Sequence, residues 1–325
     1  MASTKTLFQL DSQPTWFENI SIRPNGTILA TRLDVPEVWT VDPVTSSGSL
    51  LFRIPLPKDV PSQALTGICA LRPDVFAIGA GIYDITGGTG VKAGSFSVWL
   101  ADLTGQEFKV TKVTDTPEIA MVNGMATWDE NTVLVTDCLN GKVYKLDVTS
   151  GAYEIALEDE TMEVPAGAPF QIGINGLKVH RTVDQTHVYY TTTTRYSVYR
   201  MPVTNDLKSA GPVEMLASGV VPDDLVVAQD GTVYVCTNVT NTVAKIPPGG
   251  GDVVTVAGEA KAMTLAGSTA CVFGEGEKVL YVATAGGNAT PVDGKTEPAK
   301  VVEIKLEWER KFKAERCFGD DYSSL

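Results

Sequence analysis

Six short segments of the chain place a polar residue directly before an apolar run, and four of these residues carry a carboxylate or an amide. The six are Glu18, Thr66, Asn123, Asn175, Asp223 and Thr269. Two carboxylates and two amides are oxygen donors of the kind that calcium or magnesium prefers. Without a cation, two neighbouring carboxylates repel each other, which raises the pKa of one and makes it a general acid or base. The polar residues also have a plainer interpretation, as the lining of a water-filled channel.

The spacing of these segments follows an internal repeat. Each one shortly precedes a turn and a β-branched strand, and a second strand follows in every copy. The six middle strands are predicted to begin at Ile28, Val75, Val133, Val188, Val233 and Leu280. Units of roughly 40 to 55 residues with four short strands each are typical of propeller blades. We therefore predict an all-β fold, a single six-bladed β-propeller whose central channel has the polar residues at its mouth.

The repeat predicts one domain over residues 1–325. The predicted blades cover about 11–60, 61–115, 116–165, 166–217, 218–260 and 261–308. Residues 5–10 are expected to supply the outer strand of the last blade, since closing the ring removes an exposed sheet edge. The charged segment 309–325 is expected to be a peripheral tail.

The loops that follow the middle strands overhang the channel mouth in this arrangement. The glycine-rich segment 79–96 carries Tyr83 and is predicted to be either a lid or a flexible surface excursion. Residues 191–196 offer a hydroxyl on Thr193, a cation on Arg195 and an aromatic ring on Tyr196. Asn238 and Asn288 complete the candidate contacts, together with Glu18, Thr66 and Thr269. Such a set suits a small, partly apolar organic ligand.

Composition excludes several classes of function. The 26 Lys and Arg residues against 39 Asp and Glu residues give a formal net charge of -13, so a nucleic-acid backbone or an anionic membrane would repel the chain. The five cysteines are an odd number without a C-x-x-C pair, which argues against a zinc site or a disulfide scaffold. Two histidines make a histidine-based triad improbable. We expect a small-molecule substrate, with no nucleic-acid or membrane partner.

The sequence leaves the cellular compartment unassigned. Residues 1–10 lack the basic and then apolar pattern of a signal peptide, and no apolar run has the length of a membrane span, so we expect a soluble chain. Four Asn-x-Ser/Thr triplets begin at Asn19, Asn25, Asn238 and Asn288, and they keep a secretory origin open.

An ordered set of motifs resembles one family of six-bladed propellers. The chain looks like the fungal branch of the gluconolactonase, senescence-marker-protein and strictosidine-synthase-like proteins, from about residue 7 to residue 305. The segments that carry the resemblance are Trp16–Arg23, Pro36–Trp39, Leu65–Ile68, Asn123–Met125, Gly173–Gly176, Asp223–Asp224 and Val282–Gly287. That branch also includes hetero-Diels-Alderases, which join a tropolone-derived quinone methide to a terpene such as humulene.

The resemblance implies two different chemistries. In the metal-dependent lactonases of the superfamily, a Glu, an Asn and an Asp bind a divalent cation, and Glu18, Asn175 and Asp223 match them by position, with Asn123 as a further channel amide. The lactonase pattern Pro-Asp-Gly is here Pro222-Asp223-Asp224, which places the metal requirement in doubt.

The preferred hypothesis is a fungal cyclase of specialised metabolism, a pericyclase that resembles the hetero-Diels-Alderases and requires no cofactor. In this hypothesis the catalytic group is Asn123, Asn175, Arg195, Tyr83 and Asp223, and within it the amides of Asn123 and Asn175, with Arg195 or Tyr83, polarise a ketone. The alternatives are a lactonase or esterase that depends on calcium or magnesium, and a non-catalytic propeller that binds another protein through its rim.

Overall fold

The structure is a computed structural model that describes residues 1–57, 60–86 and 90–306. Within these residues, twenty-four strands form six four-stranded antiparallel sheets, which confirms the predicted six-bladed β-propeller. Blades 1 to 3 comprise β2 (Phe17–Ile22), β3 (Ile28–Arg32), β4 (Glu37–Asp42) and β5 (Ser47–Arg53); β6 (Gln63–Arg72), β7 (Val75–Ile82), β8 (Ser97–Asp102) and β9 (Lys109–Asp115); and β10 (Val122–Thr127), β11 (Thr132–Asp137), β12 (Lys142–Asp147) and β13 (Tyr153–Glu158).

The remaining strands build the other half of the ring. Blades 4 to 6 comprise β14 (Ile174–Arg181), β15 (Thr186–Thr192), β16 (Ser197–Val203) and β17 (Glu214–Ser218); β18 (Leu225–Val227), β19 (Val233–Thr237), β20 (Thr242–Ile246) and β21 (Val254–Gly258); and β22 (Ser268–Phe273), β23 (Val279–Thr284), β24 (Lys300–Lys305) and β1 (Ser3–Gln9). Short 3-10 turns occur at Glu160–Met162, Thr193–Arg195, Asn238–Thr240, Met263–Leu265 and Glu275–Glu277. Across the described ranges, no helix has the length and apolarity needed to cross a membrane.

The six middle strands begin within two residues of their predicted starts. β3, β7 and β19 begin at Ile28, Val75 and Val233, whereas β11, β15 and β23 begin one or two residues earlier. The turns that lead into the middle strands contain residues with positive φ, a conformation that glycine adopts readily. Examples are Gly26 before β3 (φ 84°) and Gly231 before β19 (φ 87°). The segment predicted as the outer strand of the last blade corresponds to β1, which pairs antiparallel with β24. Residues 309–325, predicted as a tail, lie outside the described residues, as does the end of the last predicted blade.

The hydrophobic core lies between the blades. Each blade contributes apolar side chains to a cluster shared with its neighbour; for example, Ala77 and Val98 of blade 2 pack with Val133 and Leu146 of blade 3. Each residue of the outer strands, such as β5 and β9, is either exposed or half-buried. Such apolar burial between sheets stabilises the ring by about 25 cal/mol per Å² of apolar surface removed from water.

Threonines of the middle strands tie successive blades together near the channel. The Oγ1 of Thr31 donates to the carbonyl oxygen of Thr66 at 2.7 Å, and Thr136 Oγ1 donates to that of Asn175 at 3.0 Å. Thr191 Oγ1 makes the same contact with the carbonyl of Asp223 at 2.5 Å. These bonds fix the inner strand of each following blade, so the channel-facing residues are held by backbone contacts as well as by their own side chains.

Candidate active site

A β-bulge in the inner strand of five blades turns the predicted polar residues toward the channel. In β14, Ile174 pairs with Thr192 and Leu177 pairs with Tyr190, so Asn175 and Gly176 together oppose the single residue Thr191. The same shift occurs in β2, β6, β10 and β22. A bulge bends the strand and re-aims a side chain, and bulges are frequent beside active sites. Five of the six polar positions found in the sequence are therefore structurally equivalent, whereas the sixth, Asp223, lies just before β18, which pairs with β19 without a bulge.

Glycine follows three of the polar residues, Thr66, Asn123 and Asn175, because the inner strands meet closely at the axis. A Cβ on Gly124 would lie 2.3 Å from the carbonyl oxygen of Asn175, and a Cβ on Gly176 would lie 2.3 Å from Asp224 Oδ1. The Asn-Gly pairs are thus bulges in the inner strands that allow neighbouring blades to converge.

The bulges of β2, β10 and β14, together with Asp223, form the floor of a cavity of about 470 Å³ at one end of the channel. Seven of the predicted site residues line it, namely Glu18, Tyr83, Asn123, Asn175, Thr193, Asp223 and Asn238. The wall consists mainly of apolar side chains from the loops that connect strands within and between blades, which are Trp16, Leu33, Met121, Phe170, Ile172, Val221, Pro222, Val239 and Ala289. The cavity therefore has a polar floor and an apolar wall, which is the composition of an organic ligand site.

Both carboxyl oxygens of Asp223 accept a hydrogen bond in the floor. Asn175 Nδ2 donates to Asp223 Oδ1 and Asn238 Nδ2 donates to Asp223 Oδ2, both at 2.9 Å. Asn175 also donates to Thr193 Oγ1 at 3.0 Å, and that hydroxyl donates to the carbonyl of Pro222 at 2.9 Å. Burial raises the pKa of Asp223 to about 7, with a further upward contribution from Asp224, although the two amide donors oppose the shift.

Glu18 lies on the same floor and shares its electrostatic environment. Trp16 Nε1 donates to Glu18 Oε2 at 2.6 Å. Burial raises the pKa of Glu18 well above its usual range, and the charge of Asp223 raises it further. Two buried carboxyl groups that repel each other retain a proton near neutral pH. The floor can thus present a neutral carboxylic acid as a hydrogen-bond donor.

Two further groups add donors around this pair. Burial and, to a smaller extent, the charge of Glu18 raise the pKa of Tyr83 to about 12. The phenol therefore keeps its proton at neutral pH. Asn123 is buried in the floor and interacts with the thiol of Cys138, whose pKa is raised by burial. Tyr83 itself belongs to an extension of β7, in which it pairs with Val91.

Five predicted contact residues lie outside the lining of this cavity. Arg195 Nε donates to the carbonyl of Glu163 at 3.0 Å, and the neighbouring Tyr196 is 39% exposed. Thr269 Oγ1 donates to the carbonyl of Phe17 at 2.7 Å, which makes it a bond between blades. Thr66 Oγ1 is buried without a hydrogen-bond partner within the described ranges, and Asn288 Nδ2 donates to the carbonyl of Thr15 at 2.8 Å.

The apolar wall is the part of the site that sequence reasoning missed. Trp16 lies two residues before Glu18, and Pro222 and Val239 adjoin Asp223 and Asn238 in the sequence. These three could have been found because each lies next to, or close to, a predicted site residue in the sequence. Phe170 and Ile172 lie in the connection between blades 3 and 4, where neither repeat nor motif marks them.

The triplets that suggested glycosylation have roles inside the fold. Asn19 donates to Asp224, Asn238 donates to Asp223, and Asn288 donates to the carbonyls of Thr15 and Ala285. The fourth, Asn25, accepts hydrogen bonds from the amide and hydroxyl of Thr27 in an exposed turn. Three of the four asparagine side chains are therefore committed to internal contacts.

The floor has the chemistry of an oxygen-donor cation site, with one geometric condition. Glu18, Asp223, Asn175 and Asn123 supply carboxylate and amide oxygens, which suit calcium or magnesium. Asn175 directs its Nδ2 at Asp223, so holding a cation there requires its amide to present Oδ1 instead. Among the residues that the structure describes, no group of three or more His, Cys, Asp or Glu side chains is arranged as a metal site.

The sequence of the chain is similar to a known family and to two proteins of assigned activity. A family model for the SMP-30/Gluconolactonase/LRE-like region matches residues 169–286, which include Asn175, Asp223 and Asn238. A protein of Phoma sp assigned as a hetero-Diels-Alderase is 27% identical over 322 residues, which cover 90% of this chain and 87% of that protein. A protein of Sarocladium schorii assigned as hetero-Diels-Alderase asR5 is 25% identical over 319 residues, which cover 82% of this chain and 75% of the relative.

Solved structures share the architecture at lower identity. A luciferin-regenerating enzyme superposes with a TM-score of 0.65 at 12% identity, covering 94% of this chain and 96% of that one. The virginiamycin B lyase of Staphylococcus aureus with quinupristin superposes with a TM-score of 0.56 at 10% identity, covering 94% and 100%. At these identities the likeness concerns the fold alone.

Proposed function

Because the chain belongs to the SMP-30/gluconolactonase-like family, in the branch that includes hetero-Diels-Alderases, we propose that it is a pericyclase of fungal specialised metabolism. Its substrates would be a neutral, oxygen-bearing heterodiene and an alkene, such as polyketide-derived and terpene-derived intermediates. The observation that carries the proposal is the pairing of a buried carboxyl floor, Glu18 and Asp223, with an apolar cavity wall.

The proposed reaction makes modest demands on the protein. In a hetero-Diels-Alder addition the oxygen and the terminal carbon of the heterodiene bond to the two alkene carbons. Three π bonds become one π bond and two σ bonds, so no atom leaves and no electron acceptor is needed. Within the described lining there is no histidine, serine or cysteine. Holding the two partners together and polarising the heterodiene oxygen are sufficient sources of rate.

The floor residues provide the polarisation. A protonated carboxyl of the Glu18 and Asp223 pair donates a hydrogen bond to the heterodiene oxygen, and the Tyr83 hydroxyl offers a second donor. Such donors stabilise the negative charge that develops on oxygen in the transition state, and in a water-excluded site each is worth more than in water. Asn175 and Asn238 hold the Asp223 carboxyl in a fixed orientation.

The apolar wall supplies the second partner's site. Trp16, Leu33 and Phe170 offer aromatic and aliphatic surface against which a hydrocarbon alkene can pack. A cavity of about 470 Å³ lies within the volume range of drug-sized ligand sites. Orientation of the alkene against this wall selects the face on which the two σ bonds form.

Turnover with a heterodiene precursor tests this function. The purified protein is mixed with a quinone-methide or enone precursor and a terpene alkene, and the cycloadduct is quantified against a protein-free reaction. The expected result is an accelerated, stereochemically enriched adduct, which Asp223→Asn should form about 10²-fold more slowly. Formation at the background rate by the native protein would reject the proposal.

Metal-dependent hydrolysis of a lactone or ester is the second candidate, and the oxygen cluster of the floor favours it. A cation held by Glu18, Asn175 and Asp223 would polarise the carbonyl of a lactone. Elemental analysis before and after dialysis against a chelator, coupled to lactone hydrolysis, distinguishes the two. Stoichiometric divalent metal with chelator-sensitive hydrolysis would favour the lactonase.

A further inference from the structure

The third strand of each blade has one position beside which the fourth strand bulges. In blades 1 to 4 the residue there, directly after the register shift, is Trp39, Trp99, Tyr144 or Tyr199. Each of these rings packs into the apolar cluster that its blade shares with the preceding blade. An aromatic side chain therefore fills equivalent space between blades at four successive places in the ring.

Blade 5 has an alanine where these four blades have a ring. The same register shift occurs in β20, but the residue that follows it is Ala244, which belongs to the cluster shared with blade 4. A groove of about 460 Å³ lies at this point, and its lining includes Ala244, Thr242, Thr255 and the connection 219–221 from blade 4. In blade 6 the position is taken by the buried Val302. The groove thus lies where alanine leaves the space that a ring takes in blades 1 to 4.

The groove also has a hydrogen-bond acceptor where two of the rings use one. Trp39 Nε1 donates to Glu37 Oε2 at 2.8 Å, and Trp99 Nε1 donates to Ser97 Oγ at 2.9 Å. In both blades the acceptor lies two residues before the ring. The corresponding residue of blade 5 is Thr242, whose side chain lines the groove.

The hydroxyl of Thr242 is free to accept a further hydrogen bond. Thr237 Oγ1 donates to the carbonyl oxygen of Thr242 at 2.8 Å, and the two hydroxyl oxygens lie 2.6 Å apart. Because the Thr237 proton is used by the carbonyl, the Thr242 hydroxyl donates to Thr237 and keeps its lone pairs. A ring N–H or O–H in the groove can donate to these lone pairs.

The groove is separate from the candidate active site. Among the described lining residues of the two, Val221 alone is common to both. The groove lies on the side of blade 5 that faces blade 4, whereas the active-site cavity lies at the end of the channel. A ligand in the groove therefore does not depend on the proposed function.

We propose that the groove beside Ala244 is a second ligand site, which binds a small neutral aromatic molecule with a ring N–H or O–H group, such as an indole or a phenol. The ring packs between Ala244 and the connection 219–221, in the space that indole and phenol side chains take in blades 1 to 4. Its N–H or O–H donates to Thr242 Oγ1. Burial of the ring supplies most of the affinity, and the hydrogen bond selects rings that carry a donor.

Nuclear magnetic resonance of the full chain with ¹³C-labelled alanine and threonine methyl groups locates a bound ring, because the ring shifts the signals of the methyl groups that it contacts. The probes are 3-methylindole and 4-methylphenol, the free counterparts of the Trp and Tyr side chains. Ala244 and Thr255 report on the groove, whereas Ala289 and Thr290 report on the active-site cavity. Each signal is assigned by its loss in a single variant. We expect saturable shifts at Ala244 and Thr255.

Ala244→Trp gives blade 5 the ring of blades 1 and 2 and should fill the groove. The dissociation constant read at Thr255 should rise at least about tenfold, because burial of the ring supplies most of the affinity. Ile155→Trp adds a tryptophan at an exposed position of β13 in blade 3 and is the matched control. It should leave the dissociation constant unchanged.

Thr242→Val keeps nearly the same shape and removes the acceptor. It should weaken the binding of 3-methylindole by about two- to tenfold, the range for one hydrogen bond. The binding of toluene, which has no donor, should not weaken. The pair of ligands separates the hydrogen bond from any change in the shape of the groove.

Shifts confined to Ala289 and Thr290 would place the probes in the active-site cavity and overturn the proposal, as would the absence of saturable shifts at Ala244 and Thr255. Unchanged affinity in the folded Ala244→Trp variant would overturn it too. If that variant does not fold, Thr242→Val decides. Equal effects on 3-methylindole and toluene would then contradict the proposal, and a selective loss of 3-methylindole would support it.

Discussion

Asn175 and Asp223, which come from adjacent blades, are joined by a hydrogen bond of 2.9 Å in which the amide Nδ2 donates to the carboxyl Oδ1. This bond favours the ionised form of Asp223 and so opposes the upward shift that burial imposes on its pKa. It also fixes which way the carboxyl faces. The hydrogen bond therefore orients the central acid of the site and limits the rise of its pKa.

Replacement of Asn175 with Leu removes that donor, and the pKa of Asp223 should rise above its value of about 7. The fraction of neutral acid then persists to higher pH, so the alkaline limb of the pH–rate profile should move upward. The profile of cycloaddition between pH 5 and pH 9 measures this shift. Asn25→Leu, in an exposed turn far from the cavity, is the control, and a downward move of the limb in Asn175→Leu would contradict the account.

Replacement of Asp223 with Asn should lower the rate by about 10²-fold, the lower range for a positioned acid. The isosteric amide keeps the volume, so thermal unfolding should remain within a few degrees of the native protein. Steady-state rates and differential scanning fluorimetry give the two readouts. An unchanged rate in the folded variant would exclude Asp223 from catalysis.

Replacement of Tyr83 with Phe removes one hydroxyl donor and should reduce the rate by up to about tenfold, in line with the loss of a single hydrogen bond. Tyr196→Phe, on a ring that lies outside the cavity lining, is the matched control and should have the native rate. Equal losses in the two variants would show that Tyr83 has no specific role.

The sequence predicted the floor of the site better than its wall. Glu18, Asn123, Asn175 and Asp223 occupy equivalent positions of a repeat, and the repeat is visible as alternating strands and turns. Arg195 and Phe170 could not be placed in the same way. The directions of their side chains depend on loop conformations, and the repeat does not predict loop conformations. Arg195 bonds to the carbonyl of Glu163, whereas Phe170 reaches the cavity from a loop without a motif.

The threonines at two equivalent positions show that a polar residue in a bulge does not always line the cavity. Thr66 and Thr269 occupy the same bulges as the amides, but Thr269 donates to the backbone of the next blade. The short hydroxyl of Thr269 stays between the blades, whereas the longer side chains of Glu18, Asn123 and Asn175 line the cavity. The Asp223-Asp224 pair could be located from the sequence, but the sequence does not show that Asp224 bonds to Lys178 of blade 4 whereas Asp223 accepts from Asn238.

The buried carboxyls also predict how stability depends on pH. Asp223 has a pKa of about 7 in the folded protein against an ordinary value of 3.8, and that of Glu18 is raised as well. A carboxyl with a raised folded pKa favours the native state fully below its unfolded pKa, and this contribution is lost as pH rises through the folded value. The native protein should therefore lose more stability than Asp223→Asn between pH 5 and pH 8, as measured by urea unfolding. A steeper loss in the variant would contradict the assignment.

The stereochemistry of the cycloadduct formed by chelator-dialysed protein tests the central claim most directly. The product of a heterodiene and a terpene alkene is resolved by chiral chromatography, with the protein-free reaction as the reference. The account predicts an adduct enriched in one stereoisomer, formed faster than background and at a rate that dialysis leaves unchanged. A racemic adduct at the background rate, together with lactone hydrolysis that returns only when a divalent cation is added, would contradict it.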